Sequence, residues 1–249
     1  MIGVLVNVGA VLLGTAIGVL FGGLIAEKLR DISFRAIGLA VLIIGITMSF
    51  GGLKTLGESR LGSFAPLVLV GALVVGGILG EAIGIERGLE RFGHYLQVKT
   101  SKLPMFAPGP AEQPDAKGHT IVEGFVTASL LFCVGAMTIL GSIQSGLGDP
   151  SLLYLKSLLD GIAAIALATS FGAGVGLSVI PVLIIQGGIA LGAGTLQPYM
   201  TVPVIAALEC VGGALILAIG LDLTGIKRLP YGNMLPGVII AAFIAGIWG

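Results

Sequence analysis

Five carboxylates stand inside apolar runs of this sequence, where solvated side chains are not expected: Glu81, Glu123, Asp160, Glu209 and Asp222. An ionised carboxylate out of water must take up a proton or find a cation. Arg35, at the mouth of the second run, is the one basic residue within the runs as delimited below. The expected partners are therefore Na⁺, H⁺ or a cationic solute. Depth orders the five. Glu209 lies deepest, Glu123 and Asp160 lie just inside their runs, and Glu81 and Asp222 are near enough to run ends to reach the interface. Two roles fit Asp160 equally: a functional carboxylate, or a charge at the positive end of a helix.

Uncharged polar groups form a second constellation. Thr169-Ser-Phe-Gly-Ala-Gly-Val-Gly-Leu-Ser-Val-Ile-Pro181, followed by Gln186-Gly-Gly, breaks a long apolar stretch. Glycines and a proline free backbone groups that lipid cannot satisfy, so such backbone is tolerated where it lines a polar cavity. Ser170, Ser178 and Gln186 are candidate ligands there; a plain tight turn at the surface fits equally well. Asn7, in the first run, is a buried amide that needs a partner.

Catalysis finds no support. Two His and two Cys are scattered, without metal-ligand spacing. There is no Gly-x-Ser-x-Gly elbow, P-loop or His-Glu-x-x-His. The chain is therefore expected not to be an enzyme and to need no cofactor beyond a coupling Na⁺ or H⁺. Zero formal net charge argues against a nucleic-acid partner. The expected partners are the lipid bilayer, a small-molecule or ion substrate, and further copies of the chain in a homo-oligomer.

The elements that must position these groups follow from composition. Hydrophobic residues make up 55% of the 249-residue chain, charged residues 10%, and the mean hydropathy is +1.07. Soluble domains carry about 25% charged residues, so a water-exposed surface cannot be built, and an all-α polytopic membrane protein is expected. The 42 glycines suit close helix packing in lipid. Cys133 and Cys210 lie in apolar runs and read as free thiols. Met1 enters the first run with no basic segment or cleavage site before it, so no cleaved leader is expected.

About 20 apolar residues cross a bilayer. Eight segments qualify: Ile2–Gly23, Arg35–Gly52, Ala65–Ile85, Ile121–Ser142, Leu158–Gly176, Ser178–Leu196, Val202–Leu223 and Asn233–Gly249. Seven crossings with one re-entrant segment in the fifth and sixth is the alternative. With eight crossings and the N-terminus outside, Lys and Arg divide ten inside to three outside, which favours both termini outside. The single membrane domain, residues 1–249, then carries one sizeable cytoplasmic loop, Glu86–Gly118. Its first half, with Leu89, Phe92 and Leu96 on one face, reads as a short interfacial helix, and Leu103–Gly118 as a flexible linker. His94 and His119, in or beside this loop, read as solvated.

A repeat is visible. Gly38-Leu-Ala-Val-Leu-Ile-Ile-Gly45 matches Gly213-Ala-Leu-Ile-Leu-Ala-Ile-Gly220, and Gly62-Ser-Phe-Ala-Pro66 tracks Gly232-Asn-Met-Leu-Pro236. Spans 2–3 thus recur as spans 7–8, shifted by an odd number of crossings, as in the inverted repeats of transporters.

Ala128-Ser-Leu-Leu-Phe-Cys-Val-Gly-Ala-Met, Gly141-Ser-Ile-Gln-Ser-Gly-Leu, Lys156-Ser-Leu-Leu-Asp-Gly-Ile, Pro181-Val-Leu-Ile-Ile-Gln-Gly and Gly232-Asn-Met-Leu-Pro236 carry a resemblance over nearly the whole chain. With Asn7 in its Gly-rich span, they resemble the YqgA/YdfK family of uncharacterised bacterial inner-membrane proteins, sometimes labelled candidate transporters. The resemblance implies a bacterial inner-membrane protein and puts the family's polar marks on Asn7, Asp160, Gln186, Glu209 and Asn233. Ala163 and Asp222 depart from the expected serine and asparagine, which puts a shared substrate in doubt.

The function expected is a secondary transporter of a small solute or ion coupled to Na⁺ or H⁺, with Glu209 and Asp160 on the cation and Glu123, Asn7, Ser170, Ser178, Gln186 and Asn233 at the substrate or ion path. A non-transporting scaffold or partner subunit, or a passive channel, is the alternative.

Overall fold

The computed structural model describes residues 1–22, 27–100, 121–134 and 136–249. Twelve helices follow one another among the described residues: α1 (Ile2–Gly22), α2 (Glu27–Gly57), α3 (Ala65–Ile83), α4 (Ile85–Thr100), α5 (Ile121–Cys133), α6 (Ala136–Gly146), α7 (Ser151–Phe171), α8 (Gly174–Leu177), α9 (Val179–Leu191), α10 (Ala193–Leu196), α11 (Val202–Leu223) and α12 (Pro236–Trp248). The chain is the all-α polytopic membrane protein that its composition requires. The expected linker Leu103–Gly118 and His119 lie outside the described residues.

Seven segments are long and apolar enough to span: Ile2–Phe21, Arg35–Gly57, Gly62–Ile83, Ser151–Phe171, Gly174–Leu191, Val202–Leu223 and Tyr231–Trp248. The eighth is α5 with α6, bent 65° to each other. Two expectations are corrected here. The break in a span falls between α5 and α6, whereas Ser151–Phe171 and Gly174–Leu191 are each full-length. The fifth span also starts at Ser151 and not at Leu158, because Asp149-Pro150-Ser151 is a helix start. Asp149 Oδ1 accepts from the Ser151 backbone N–H at 3.0 Å, and Pro150 needs no donor there. The Ser151 hydroxyl and N–H hold the Asp149 carboxyl below its ordinary range.

Glycine-to-backbone contacts give the helix directions. Gly3 packs on Leu153, Gly14 on Gly161 and Gly18 on Ile165, so α1 and α7 run parallel. Gly38 meets Thr224, Gly45 meets Leu217 and Gly52 meets Cys210, so α2 and α11 are antiparallel. Gly80 on Asn233 and Gly76 on Gly237 set α3 against α12 in the same sense. Parallel spans need an odd number of crossings between them. Between α1 and α7 stand α2, α3 and the bent pair, so the pair must cross once. Its ends agree: Gly174, just past α7, packs on Ile121, while the Met1 ammonium donates to the Ser145 carbonyl at 3.2 Å. The pair thus begins where α1 ends and finishes where α1 begins.

The face of α4 that carries Leu89, Gly93 and Leu96 meets the protein and not lipid alone. Phe125 of α5 packs on Gly93 and meets the Phe92 ring edge-on, centroids 5.9 Å apart.

Three apolar clusters fill the interior among the described residues: one around Phe125, Phe132 and Leu167, one around Leu56, Ala207 and Val211 between α2, α3, α11 and α12, and a small one of Val4, Leu153 and Ala190. Without a hydrophobic drive between helices in lipid, such seams depend on close backbone approach. A methyl group at Gly45 would collide with the Leu217 backbone, whereas at Gly51 nothing lies within 4 Å. Gly45→Ala is expected to cost about 1–3 kcal/mol, read as a lower thermal midpoint in detergent, and Gly51→Ala to leave the midpoint within error. Equal midpoints for the two variants would count against backbone packing at this seam.

Candidate functional site

Three helices bring three of the expected residues together. Asn7 on α1 donates through Nδ2 to Asp160 Oδ2 on α7 at 3.0 Å and to Gln186 Oε1 on α9 at 3.1 Å. All three are buried, Asn7 and Gln186 completely. The glycines of the α1–α7 seam let the helices approach closely enough for an amide as short as asparagine to reach across.

A fourth member was not expected. Lys156, one turn before Asp160, is buried too, and its ammonium meets Asp160 Oδ2 at 2.5 Å. The carboxylate of Asp160 therefore has an internal cation, which overturns the expectation that it lacks a basic partner. A fifth span that begins at Leu158 leaves Lys156 in a loop. The i, i+4 spacing of Lys156 and Asp160 was the available signal.

The cluster adjoins the break in the α5–α6 span. Cys133, the last residue of α5, lies in the neighbourhood of Lys156 and Asp160. Thr138 Oγ1 donates to the Phe132 carbonyl at 3.0 Å, so a side chain satisfies a backbone group near the bend. Gly146 packs on the Ala190 backbone where α6 and α9 run alongside in the same direction. Ser142 and Gln186 are each one turn earlier on their helices. Asn7 Oδ1, Gln186 Nε2 and the hydroxyls of Ser142 and Ser145 are buried without a hydrogen-bond partner among the described residues. Each such group costs about 1–3 kcal/mol. A natural core seldom leaves several unpaired near one charged pair.

The other expected site residues do not join the cluster. Glu123 is ion-paired: Arg228 bridges it and Glu90 of α4, each at 3.1 Å, so the expectation that Glu123 lacks a basic partner is also overturned. Glu90, Glu123, Thr127, Asp222, Arg228 and Tyr231 line a cavity of about 160 Å³ at the end of the molecule where α5 begins and α11 ends. The Tyr231 hydroxyl donates to Asp222 at 3.1 Å. Nearby, burial pushes the Glu86 carboxyl above its ordinary range, the Arg228 charge opposing.

Asn233 is a joint: Oδ1 accepts from the Glu86 N–H at the start of α4 at 2.8 Å, and Nδ2 donates to Glu81 at 2.5 Å. Ser178 is buried but turns its hydroxyl back to the Val175 carbonyl, 2.6 Å away. The Ser170 hydroxyl is buried without a partner among the described residues. Glu209, deepest by sequence, is half-buried on α11 and makes no hydrogen bond or ion pair with any described residue. Cys133 and Cys210 are free thiols.

Removing one member of a buried ion pair leaves an uncompensated charge and costs about 3–5 kcal/mol, whereas an apolar replacement of both is far milder. Lys156→Met is accordingly expected to lower the unfolding midpoint sharply, and Lys156→Met/Asp160→Leu to recover most of that loss. Additive losses in this cycle would show that the two side chains do not interact.

Comparison with known proteins agrees with the resemblance read from the blocks above. A family profile described as "Protein of unknown function (DUF554)" matches residues 2–246. "Uncharacterized membrane protein YdfK" of Bacillus subtilis (strain 168) is 32% identical over 241 residues, 96% of this chain and 93% of that protein. "Uncharacterized protein YqgA" of Escherichia coli (strain K12) is 32% identical over 248 residues, 99% and 97% of the two chains. No solved structure matches significantly. The chain is a multi-pass membrane protein and a member of the DUF554 family.

Proposed function

We propose that this protein is a secondary transporter in the bacterial inner membrane, moving a small solute or ion past the Asn7–Lys156–Asp160–Gln186 cluster at the expense of an ion gradient. The observation that carries the reading is that cluster itself. A buried ion pair with spare hydrogen-bonding groups, beside a broken span, is costly as mere scaffolding. Discontinuous helices around polar groups within the bilayer are how transporters build substrate sites.

Two further features support the reading. The repeated hairpins pack against each other, α2 on α11 and α3 on α12, and the equivalent glycines Gly38 and Gly213, Gly45 and Gly220 each meet the opposing helix. An inverted repeat accounts for that reciprocity. With Lys156 now inside a span, the basic residues divide ten to two, which favours the α4 face as cytoplasmic and Met1 outside. Neither catalysis nor a bound cofactor enters this reading.

In proteoliposomes, solute uptake driven by an ion gradient is expected for the intact chain and an approximately background rate for Asn7→Ala. A broad solute screen with no gradient-dependent uptake would refute the transport reading. A partner-subunit role is the second reading, favoured by Glu209, a half-buried span carboxylate with no hydrogen bond or ion pair to a described residue. Under that reading, mild-detergent purification is expected to retain a stoichiometric partner that Glu209→Gln releases. Its absence from both preparations would oppose it.

A further inference from the structure

We propose that the Lys156–Asp160 cluster takes up one small monovalent anion together with one proton, an inference that rests on the transport reading above. The cluster holds one ammonium and one carboxylate, and its surroundings add little charge. α1, α6, α8 and α9 contain no ionisable side chain. α5 contributes Cys133 and, at its far end, Glu123, which Arg228 holds. The charged residues of α2 lie towards its ends, from Glu27 to Arg35 and at Lys54. Tyr154 on α7 is exposed, and the Met1 ammonium is on the Ser145 carbonyl.

Spare hydrogen-bonding capacity there is mostly donating. The ammonium has three N–H groups and one bond in the cluster, to Asp160. Among the described residues Gln186 Nε2 and the hydroxyls of Ser142 and Ser145 have no partner, and Asn7 Oδ1 is the one amide acceptor left over. An ammonium that shares a hydrogen-bonded cluster with a spare amide N–H recognises the acceptor oxygens of an anion. A metal cation would instead have to displace the ammonium from the cluster's single carboxylate.

Charge balance supplies the coupling. The empty cluster, Lys156⁺ with Asp160⁻, is neutral. When a proton adds to a carboxylate oxygen of Asp160, the ammonium is released and turns to the incoming anion. The loaded cluster, Lys156⁺ with the anion and a neutral Asp160 acid, is neutral again. A proton alone leaves one uncompensated positive charge and an anion alone one negative, and an unpaired charge at this depth is costly. The two neutral forms are the ones that convert between faces, and no covalent bond is made or broken beyond the O–H of Asp160.

The test uses the full chain in liposomes, with radiolabelled lactate and nitrate as probes and a pH dye inside. A one-unit inward proton gradient is expected to accumulate one of the anions about tenfold, the limit for one-to-one symport. One proton should enter per anion, and an imposed membrane potential should not change the rate. Lys156→Met is expected to abolish accumulation, while Lys156→Arg, which keeps the charge, should restore it in part. In detergent, stabilisation by the transported anion should grow as pH falls. In Asp160→Asn that stabilisation should lose its pH dependence, a readout that merely weakened folding would not produce. Gradient-driven uptake of neutral or cationic solutes alone, or electrogenic anion uptake, would overturn the anion–proton assignment and leave transport standing. Failure of any solute to move would overturn both.

Discussion

A charge placed in hydrocarbon must bring its counter-charge with it, and this fold is arranged around one such pair. Lys156 and Asp160 lie a turn apart on α7 and meet at 2.5 Å, both buried. Desolvating two ions is repaid only where geometry is good and further hydrogen bonds are made. Asn7 supplies one of those bonds through Nδ2 and donates the second N–H of the same group to Gln186. For that to happen α1 must lie close against α7, which Gly14, Gly18 and Gly161 permit. The glycine seams and the charged cluster are therefore one design: the seams give the distance, and the cluster gives the register.

The rest of the molecule frames this unit. The α2–α11 and α3–α12 pairs form a tightly packed body around one apolar cluster, and among the described residues no hydrogen bond from Asn7, Lys156, Asp160 or Gln186 reaches it. Around the cluster the elements are shorter and more broken: α5 bends into α6, and α8 interrupts the passage from α7 to α9. Irregular backbone in a bilayer is tolerated beside polar groups that satisfy it. The cavity held by Arg228, Glu90 and Glu123 lies at the end of the molecule opposite Ser145 and Met1. Polar groups thus occur at two depths, one set deep in the bundle and one at its rim.

Much of this was legible in the residues. Hydropathy found every crossing, and Asn7, Asp160 and Gln186 stood out as polar groups that lipid cannot satisfy. Lys156 escaped because a hydropathy count treats a lysine as the end of a span, although Asp149-Pro150-Ser151 before it is a helix start. The bend at the end of α5 escaped because 124–142 holds no charged residue or proline, so nothing in its hydropathy marks a break. Depth along a helix also misled. Glu209 is deep in sequence yet makes no hydrogen bond or ion pair with a described residue, while Asp160, shallow in the expected span, is at the centre. Distance from a helix end says nothing about which way a side chain points, and partners on other helices decide that.

If the cluster is a substrate site, it must meet water from one face or the other at some stage of a cycle. In a chain with Cys133 and Cys210 replaced by alanine, a single cysteine at Ser142 can be challenged with a small membrane-impermeant thiol reagent. Reaction from at least one side of the membrane, slowed by a transported solute, is the expected result. A thiol at this position that stays inert from both sides, in protein that is folded and inserted, would contradict the account and leave the cluster a structural joint.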